Sequence, residues 1–562
     1  MRFYRRSEDQ PLFGRLAPLG LLLGAAAFAA ALSPSLIPRS AQLQGVLAGL
    51  SFGCGYGIGA GLTLIWLWVV QPADPPGRVL LRRSLLAGAL AALVMIGALW
   101  MARGWQNEIR AAMGMVPVET ARPFTIAGIA LGLGAGLVLL GRLFRRVLRI
   151  LSAQAEPFLP RRMALFLSLA VTGWLFWSIG AGVLMDRVLG VLDRSYATLD
   201  ATDPPDFAPP ADPLKTGSAA SLIGWDSLGA EGRNRIAGGP DAAAITAITG
   251  RPAMEPLRVY AGLNSAATPE ARAALALREL IRIGGFARSN LVIAFPTGTG
   301  WVDPAGMEPV EYLTDGDIAS VSVQYSYLPS WLSLLVEPTY GSDTARAVFR
   351  AVYGHWTALP RDRRPKLYLF GLSLGAMNGD LAADFYDMIG DPYQGALWVG
   401  PPFTTRSWNA VVADRAEGSP VWAPQFRDGS LIRFMAQEGA VPKGQAGAES
   451  DRAEDWGPVR IVYLQYPSDP IVMFRADMIW RQPAWMTEPR GPDVSPGLVW
   501  VPVVTLLQLL FDMMTATMTP VGHGHVYAAG DYLNGWQAVL GAGSWDAAAV
   551  DRLRAALAAR GL

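Results

Sequence analysis

The chain has 562 residues, more than one ordinary domain, and 51% of them are hydrophobic against 17% charged, a balance that points to a membrane component. Its 47 basic and 46 acidic residues leave a net charge of +1, so no overall field draws nucleic acid and a nucleic-acid partner is excluded. One cysteine, Cys54, rules out an intrachain disulfide framework or a thiolate zinc cluster, and three histidines are too few for a His-rich metal centre, so neither a metal nor another cofactor is expected.

Five apolar stretches in the first two hundred residues, 16–32, 43–70, 84–102, 124–143 and 163–185, have the length a bilayer crossing needs. Arginines flank them unevenly. Arg2, Arg5, Arg6 and Arg15 precede the first, Arg78, Arg82 and Arg83 separate the second and third, and six more lie between Arg142 and Arg162. Only Arg39, Arg103, Arg110 and Arg122 occupy the other connections. Positive loops stay cytoplasmic, which predicts a multi-pass inner-membrane protein with a cytoplasmic N-terminus and everything after residue 185 periplasmic or extracellular. The first stretch also has the make-up of a signal peptide, whose removal would leave that topology unchanged.

Gly49, Gly53, Gly57 and Gly61 repeat every four residues in the second stretch, and Gly128, Gly132 and Gly136 in the fourth. Such stripes let helices approach closely, within one bundle or across a homo-oligomer. No stretch carries a central charge, which argues against a transporter.

An amphipathic continuation over 183–199 and a proline-rich segment from Asp203 to Pro213 read as a surface helix and a stiff linker. The expected organisation is a helical transmembrane domain over 1–200, a linker over 201–240 and a catalytic domain over 241–562. Beyond the linker, short β-branched and aromatic runs at 257–263, 291–295, 318–325, 366–370, 396–399, 431–435 and 460–466 alternate with helix-length segments at 269–284, 342–359 and 376–388. That alternation predicts an α/β domain with a mainly parallel sheet, of the α/β-hydrolase kind.

Gly371-Leu372-Ser373-Leu374-Gly375 follows one such strand and precedes a helix, the context in which Gly-x-Ser-x-Gly forms a nucleophile elbow. A serine hydroxyl needs a base held by a carboxylate, and both must come later in the chain. Asp469, just past the strand ending at Tyr466, is the expected acid, with Asp477 as the alternative. His525 is the expected base and His523 the alternative, whereas His355 precedes the serine and reads as structural. Oxyanion donors are expected at the Leu374 N–H and in Gly298, Thr299 and Gly300 of the loop after the second strand. The segment 498–517 is almost wholly apolar but cannot cross a membrane without separating His525 from Ser373; it reads as a buried helix or as a membrane-facing wall of the site.

These residues resemble a family of bacterial membrane-embedded α/β-hydrolases with an N-terminal multi-span region. The marks run through nearly the whole chain: SPSLIPR at 33–39, KTGS at 215–218, TGTGW at 297–301, GHWTALP at 354–360, GLSLG at 371–375, SDP at 468–470 and GHGH at 522–525. The resemblance implies the fold and a serine nucleophile. The expected activity is hydrolysis or transfer at an ester, lipid-like or on an acylated glycan, beside the bilayer. A periplasmic glycan transacylase and a non-catalytic membrane assembly scaffold are the other readings.

Overall fold

The structure is a computed structural model that describes residues 16–70, 76–185, 207–328, 340–383, 389–438, 456–487, 489–541 and 545–562. The chain divides into two compact units. The first contains the N-terminal helices together with two later segments, Arg475–Met486 and Asp493–Thr515; the second contains the remainder from Leu192.

In the first unit, α1 (Pro18–Leu32), α2 (Ala41–Val70), α3 (Gly77–Ala112), α4 (Pro123–Ala155) and α5 (Arg161–Trp177, continuing as a π-helical stretch Ser178–Met185) form a helical bundle. Four of them, α2 to α5 with α5 extending to Gly180, are long and apolar enough to cross a membrane. The expected count of five is corrected to four candidates. Proline at the first helical position and Ser33-Pro34 beyond the last fence α1 to 15 residues, about 22 Å at 1.5 Å per residue, short of the ~30 Å hydrocarbon core. Phe28, Ala31 and Leu32 of α1 are buried in the bundle, whereas α3 and α5 expose Leu93, Trp100, Phe166 and Trp174.

The glycine stripes behave differently from their periodicity. A Cβ on Gly49 or Gly53 would lie 3.0 or 2.5 Å from α4 atoms, and one on Gly55 or Gly59 would lie 2.5 or 2.6 Å from the α1 backbone, so α2 is wedged between both helices. Gly57, Gly61, Gly128, Gly132 and Gly136 meet nothing within 4 Å. The close approach therefore uses Gly49 and Gly53 of the regular stripe toward α4, and Gly55 and Gly59, outside it, toward α1.

Helix α6 (Val504–Met514) comes from the later segments and packs on α1 and α2 within this unit. Its polar side chains point inward. Asp512 is fully buried and accepts from Arg39 Nε at 2.8 Å, Ser35 Oγ at 3.2 Å and the Leu36 N–H at 3.2 Å. Gln508 donates to the Ala30 and Ser33 carbonyls at the end of α1. Glu108, near the end of α3, accepts from Ser495 Oγ and the Gly497 N–H, both at 2.6 Å. The buried Arg39 side chain thus has a carboxylate and three further acceptors, Gln44, Ser35 and the Gln508 carbonyl, the condition under which a charge pair persists away from water.

The second unit is built on a seven-stranded, wholly parallel sheet, β1 (Leu257–Ala261), β2 (Asn290–Phe295), β3 (Ile318–Val323), β4 (Lys366–Leu372), β5 (Gly395–Val399), β6 (Ile432–Met435) and β7 (Arg460–Leu464), in the order β1-β3-β2-β4-β5-β7-β6. The strands at its centre are buried on both faces, which is why they read as unbroken apolar runs. Helices Pro269–Arg282 and Tyr340–Ala358 lie where expected; the helix after Ser373 begins at Leu374, two residues early, and is described to Ala382.

Residues 207–240 are not a free linker. Trp225, Leu228 and Ile236 are buried, helix Gly229–Ala237 packs on β1, and Thr216 Oγ1 donates to the Arg258 carbonyl at 3.0 Å. The expected surface helix over 183–199 falls largely outside the described residues. In the same unit Glu311 takes both Arg235 and Arg258 at 2.9 and 2.7 Å, and burial of all three is offset by these contacts, which keep the Glu311 carboxyl below its usual range.

Candidate active site

Ser373 stands at the end of β4 with φ 55° and ψ −123°, a conformation that side chains rarely adopt. The strain is held by close packing on both sides. A Cβ on Gly371 would lie 2.4 Å from the Gly375 carbonyl carbon, and one on Gly375 would lie 2.2 Å from the Phe295 carbonyl oxygen. The glycines of the motif are needed here for contact distance, since neither has positive φ. The Ser373 N–H donates to the Val399 carbonyl at 2.9 Å, and its hydroxyl does not cap the following helix. The oxygen is thereby left for chemistry.

Asp469 caps the short helix Pro470–Met473 beyond β7, with the Ile471 N–H donating to Oδ1 at 2.9 Å. Its other oxygen, Oδ2, lies 2.6 Å from Nδ1 of His525, an arrangement that puts the proton on Nδ1 and leaves Nε2 as the basic nitrogen. Both side chains are buried. Nε2 is also buried and has no hydrogen-bond partner among the described residues. The ring lies against Gly400, where an added Cβ would be 2.7 Å from Cε1, and Gly400 follows the Val399 that holds the Ser373 backbone. Nucleophile and imidazole are thus both anchored at the C-terminal end of β5.

His523 is half-buried, and its backbone closes the turn: its N–H donates to the Pro520 carbonyl and its carbonyl accepts from Thr519 Oγ1 at 2.6 Å. It is His525, not His523, that pairs with Asp469. Asp477 belongs to the first unit, where Arg475 Nε contacts it at 3.2 Å, and His355 packs its ring on Phe286 at 4.5 Å.

Leu374 opens the helix after the serine, so its N–H belongs to the unsatisfied first turn. In the loop after β2, the Gly300 N–H donates to the Thr297 carbonyl at 3.0 Å inside a turn with φ 89° at Gly300, while the Gly300 and Thr299 carbonyls accept from Tyr260 and Gln324. Gly300 is corrected from oxyanion donor to shape-giving residue, because its N–H is already spent.

Four neighbours carried no signal in the sequence. Tyr527 donates to Asp469 Oδ2 at 2.7 Å; burial and that carboxylate push its phenol well above the ordinary value, so it remains a donor at working pH. Ser468 Oγ accepts the Gly524 N–H at 2.8 Å, tying the SDP and GHGH segments together. Gly400 makes room for the imidazole. Asp303, after the TGTGW loop, accepts from Tyr532 at 2.7 Å and the Ala305 N–H at 2.9 Å, and burial pushes its carboxyl up to about 6. Only a paired distance reveals such groups; Tyr527, two residues past His525, is the one that spacing could have suggested.

No group of three or more metal-ligating side chains occurs among the described residues.

A serine in a strained turn between strand and helix, a carboxylate past a later strand and a histidine after it follow the chain order of the α/β-hydrolases. The chain belongs to this class by descent as well as by shape. A family model described as an alpha/beta-hydrolase family matches residues 257–553, from the first residue of β1, and a second, described as the N-terminus of an alpha/beta-hydrolase family, matches residues 32–240. No curated protein and no solved structure matches the chain.

Proposed function

We propose that the protein is a membrane-anchored serine hydrolase that cleaves or transfers an ester through an acyl-enzyme. The observation that carries this reading is the buried His525 ring, paired through Nδ1 with Asp469 and keeping Nε2 uncommitted beside the strand end that holds Ser373. Ser373 Oγ attacks the ester carbonyl carbon while its proton passes to Nε2. The oxyanion is met by the Leu374 N–H and by the Gly298-Thr299 backbone. The same proton then goes to the leaving alcohol as the C–O bond breaks. Water, or an acceptor alcohol, repeats the sequence on the acyl-enzyme and restores the serine.

The site belongs to the extracytoplasmic face in this reading. Its support is the arginine distribution about α2 to α5, with Arg78, Arg82, Arg83 and the six arginines from Arg142 to Arg162 on one side and only Arg39, Arg103, Arg110 and Arg122 on the other. Fluorophosphonate labelling of membranes tests the nucleophile: wild type should label and Ser373→Ala should not. A folded wild-type protein that stays unlabelled would leave the hydrolase fold as a scaffold.

A further inference from the structure

Helix α6 is inside out relative to a helix that faces water. Thr505, Gln508, Leu509 and Asp512, spaced i, i+3, i+4, i+7, form its buried face. The opposite row, Leu506, Leu510 and Met514, is apolar, and Leu510 and Met514 are 38% and 48% exposed. A helix in water places its apolar stripe inward. This one buries Val504 and Leu509 beside its polar contacts to Arg39, Ala30 and Ser33 and still turns leucine and methionine outward, so no polar face is left for water, the pattern that hydrocarbon surroundings favour.

Two anchors fix its depth. Arg39 and Ser33 follow α1, and Glu108 lies near the end of α3; the positive-inside assignment puts both on the outer side. Eleven residues reach only about 16 Å, about half the hydrocarbon thickness, so α6 enters the bilayer without crossing it.

The base-bearing loop follows without a break. Ala516 starts it, and its carbonyl accepts the His525 N–H at 3.0 Å. Within it Met518 and Val521 are 76% and 48% exposed. In the sheet unit, a small hollow beside the strand ends that flank the elbow is lined by Phe295, Pro296, Val323, Tyr325 and Val348 together with Thr344 and Asn378, with room for about one water. An acylated glycan gives no reason for an apolar outer row next to the base-bearing loop; a bilayer lipid does.

Resting on the serine-hydrolase reading, we infer that α6 and the following residues to Val521 lie in the outer leaflet and that the substrate is the ester of a bilayer lipid. Ser373 takes the fatty acyl group, the lysolipid or glycerol hydroxyl departs with the proton from His525, and water releases the fatty acid.

The full chain is reconstituted in phosphatidylcholine vesicles containing a lipid with a diazirine at mid-chain, irradiated, and digested for mass spectrometry. Crosslinks should appear in the peptide covering 506–521 at a yield comparable with that on the exposed faces of α3 and α5. Crosslinks confined to the long helices would overturn the embedded placement. The same vesicles are given a pyrene-labelled diacyl phosphatidylcholine or a water-soluble acetylated glucoside, with fluorophosphonate labelling alongside. Wild type should release pyrene fatty acid at least tenfold faster than Ser373→Ala. Labelling together with deacetylation of the sugar, but no fatty acid release, overturns the lipid substrate and leaves the serine reading standing. No labelling and no turnover of either ester overturns both.

Discussion

Trp398 in β5 is 1% exposed and Trp100 in α3 is 88% exposed, though both belong to well-formed elements of the same chain. The sheet unit hides its aromatic residues and pairs its buried charges among themselves, as Glu311 does with Arg235 and Arg258. The bundle turns Trp100, Phe166 and Trp174 outward and keeps Arg39 and Asp512 inside. Burial is a statement about the surrounding medium: each unit hides what its own solvent rejects.

The largest effect expected separates chemistry from architecture. Ser373→Ala should lower kcat/KM by about 10⁴-fold and leave the thermal midpoint in detergent within a few degrees of wild type. A variant that unfolds instead would make Ser373 a structural residue of the elbow.

Arg39→Ala probes the bundle's interior. It leaves Asp512 buried without its cation, a loss of about 3–5 kcal/mol for such pairs, and limited proteolysis should then cut within 487–503. Replacing both partners, Arg39→Met with Asp512→Leu, should recover most of that stability, since a matched apolar pair suits a bundle in hydrocarbon. If the single variant resists protease as wild type does, the ion pair is dispensable and the contrast between the interiors weakens.

Asp380→Asn tests the opposite case in the sheet unit. Burial pushes Asp380 up to about 6 from 3.8, against hydrogen bonds from Ser407 and Tyr463. The native state therefore keeps this proton over a range in which the unfolded chain has released it. Stability falls as pH rises from about 4 to about 6, and the cost persists above it, at most about 3 kcal/mol. The asparagine variant should lose less of its thermal midpoint between pH 5 and 7.5 than wild type; an identical loss would show that Asp380 is solvated.

The smallest effect concerns the support of the acid. Tyr527→Phe removes a donor to a buried carboxylate, worth about 1.5 kcal/mol or somewhat more, so kcat should fall about tenfold with KM little changed. Equal change in both constants would place Tyr527 in substrate binding.

The sheet was legible because parallel strands buried on both faces leave short continuous runs such as Leu291 to Phe295, set apart from the bundle's apolar runs by their length. Ser373 was legible because contact distances at Gly371 and Gly375 permit no other residue. The first stretch ends at residue 32 in the sequence and in the structure alike; what failed was its count as a span, because the helix starts only at Pro18 and has 15 residues. The assignment of 498–517 was open because composition gives how apolar a helix is and not which side meets protein; Asp512 decides it only once Arg39, 473 residues away in sequence, is found beside it. Tyr527 and Gly400 act through pairs brought together by folding, and a pair separated in the chain leaves no local trace. No strand precedes the histidine loop among the described residues; α6 stands there instead.

Two segments of the helical unit, Arg475–Met486 and Asp493–Thr515, fall between Asp469 and His525 in the chain, and this has a consequence for biosynthesis. A ribosome delivers the nucleophile and the acid while the base is still unmade, and the last element to be threaded before His525 is the one that docks on Arg39. A nascent chain stalled before Ala516 is inserted and yet unarmed. On the proposed function, the site is therefore completed only after the helical unit has received its last segment.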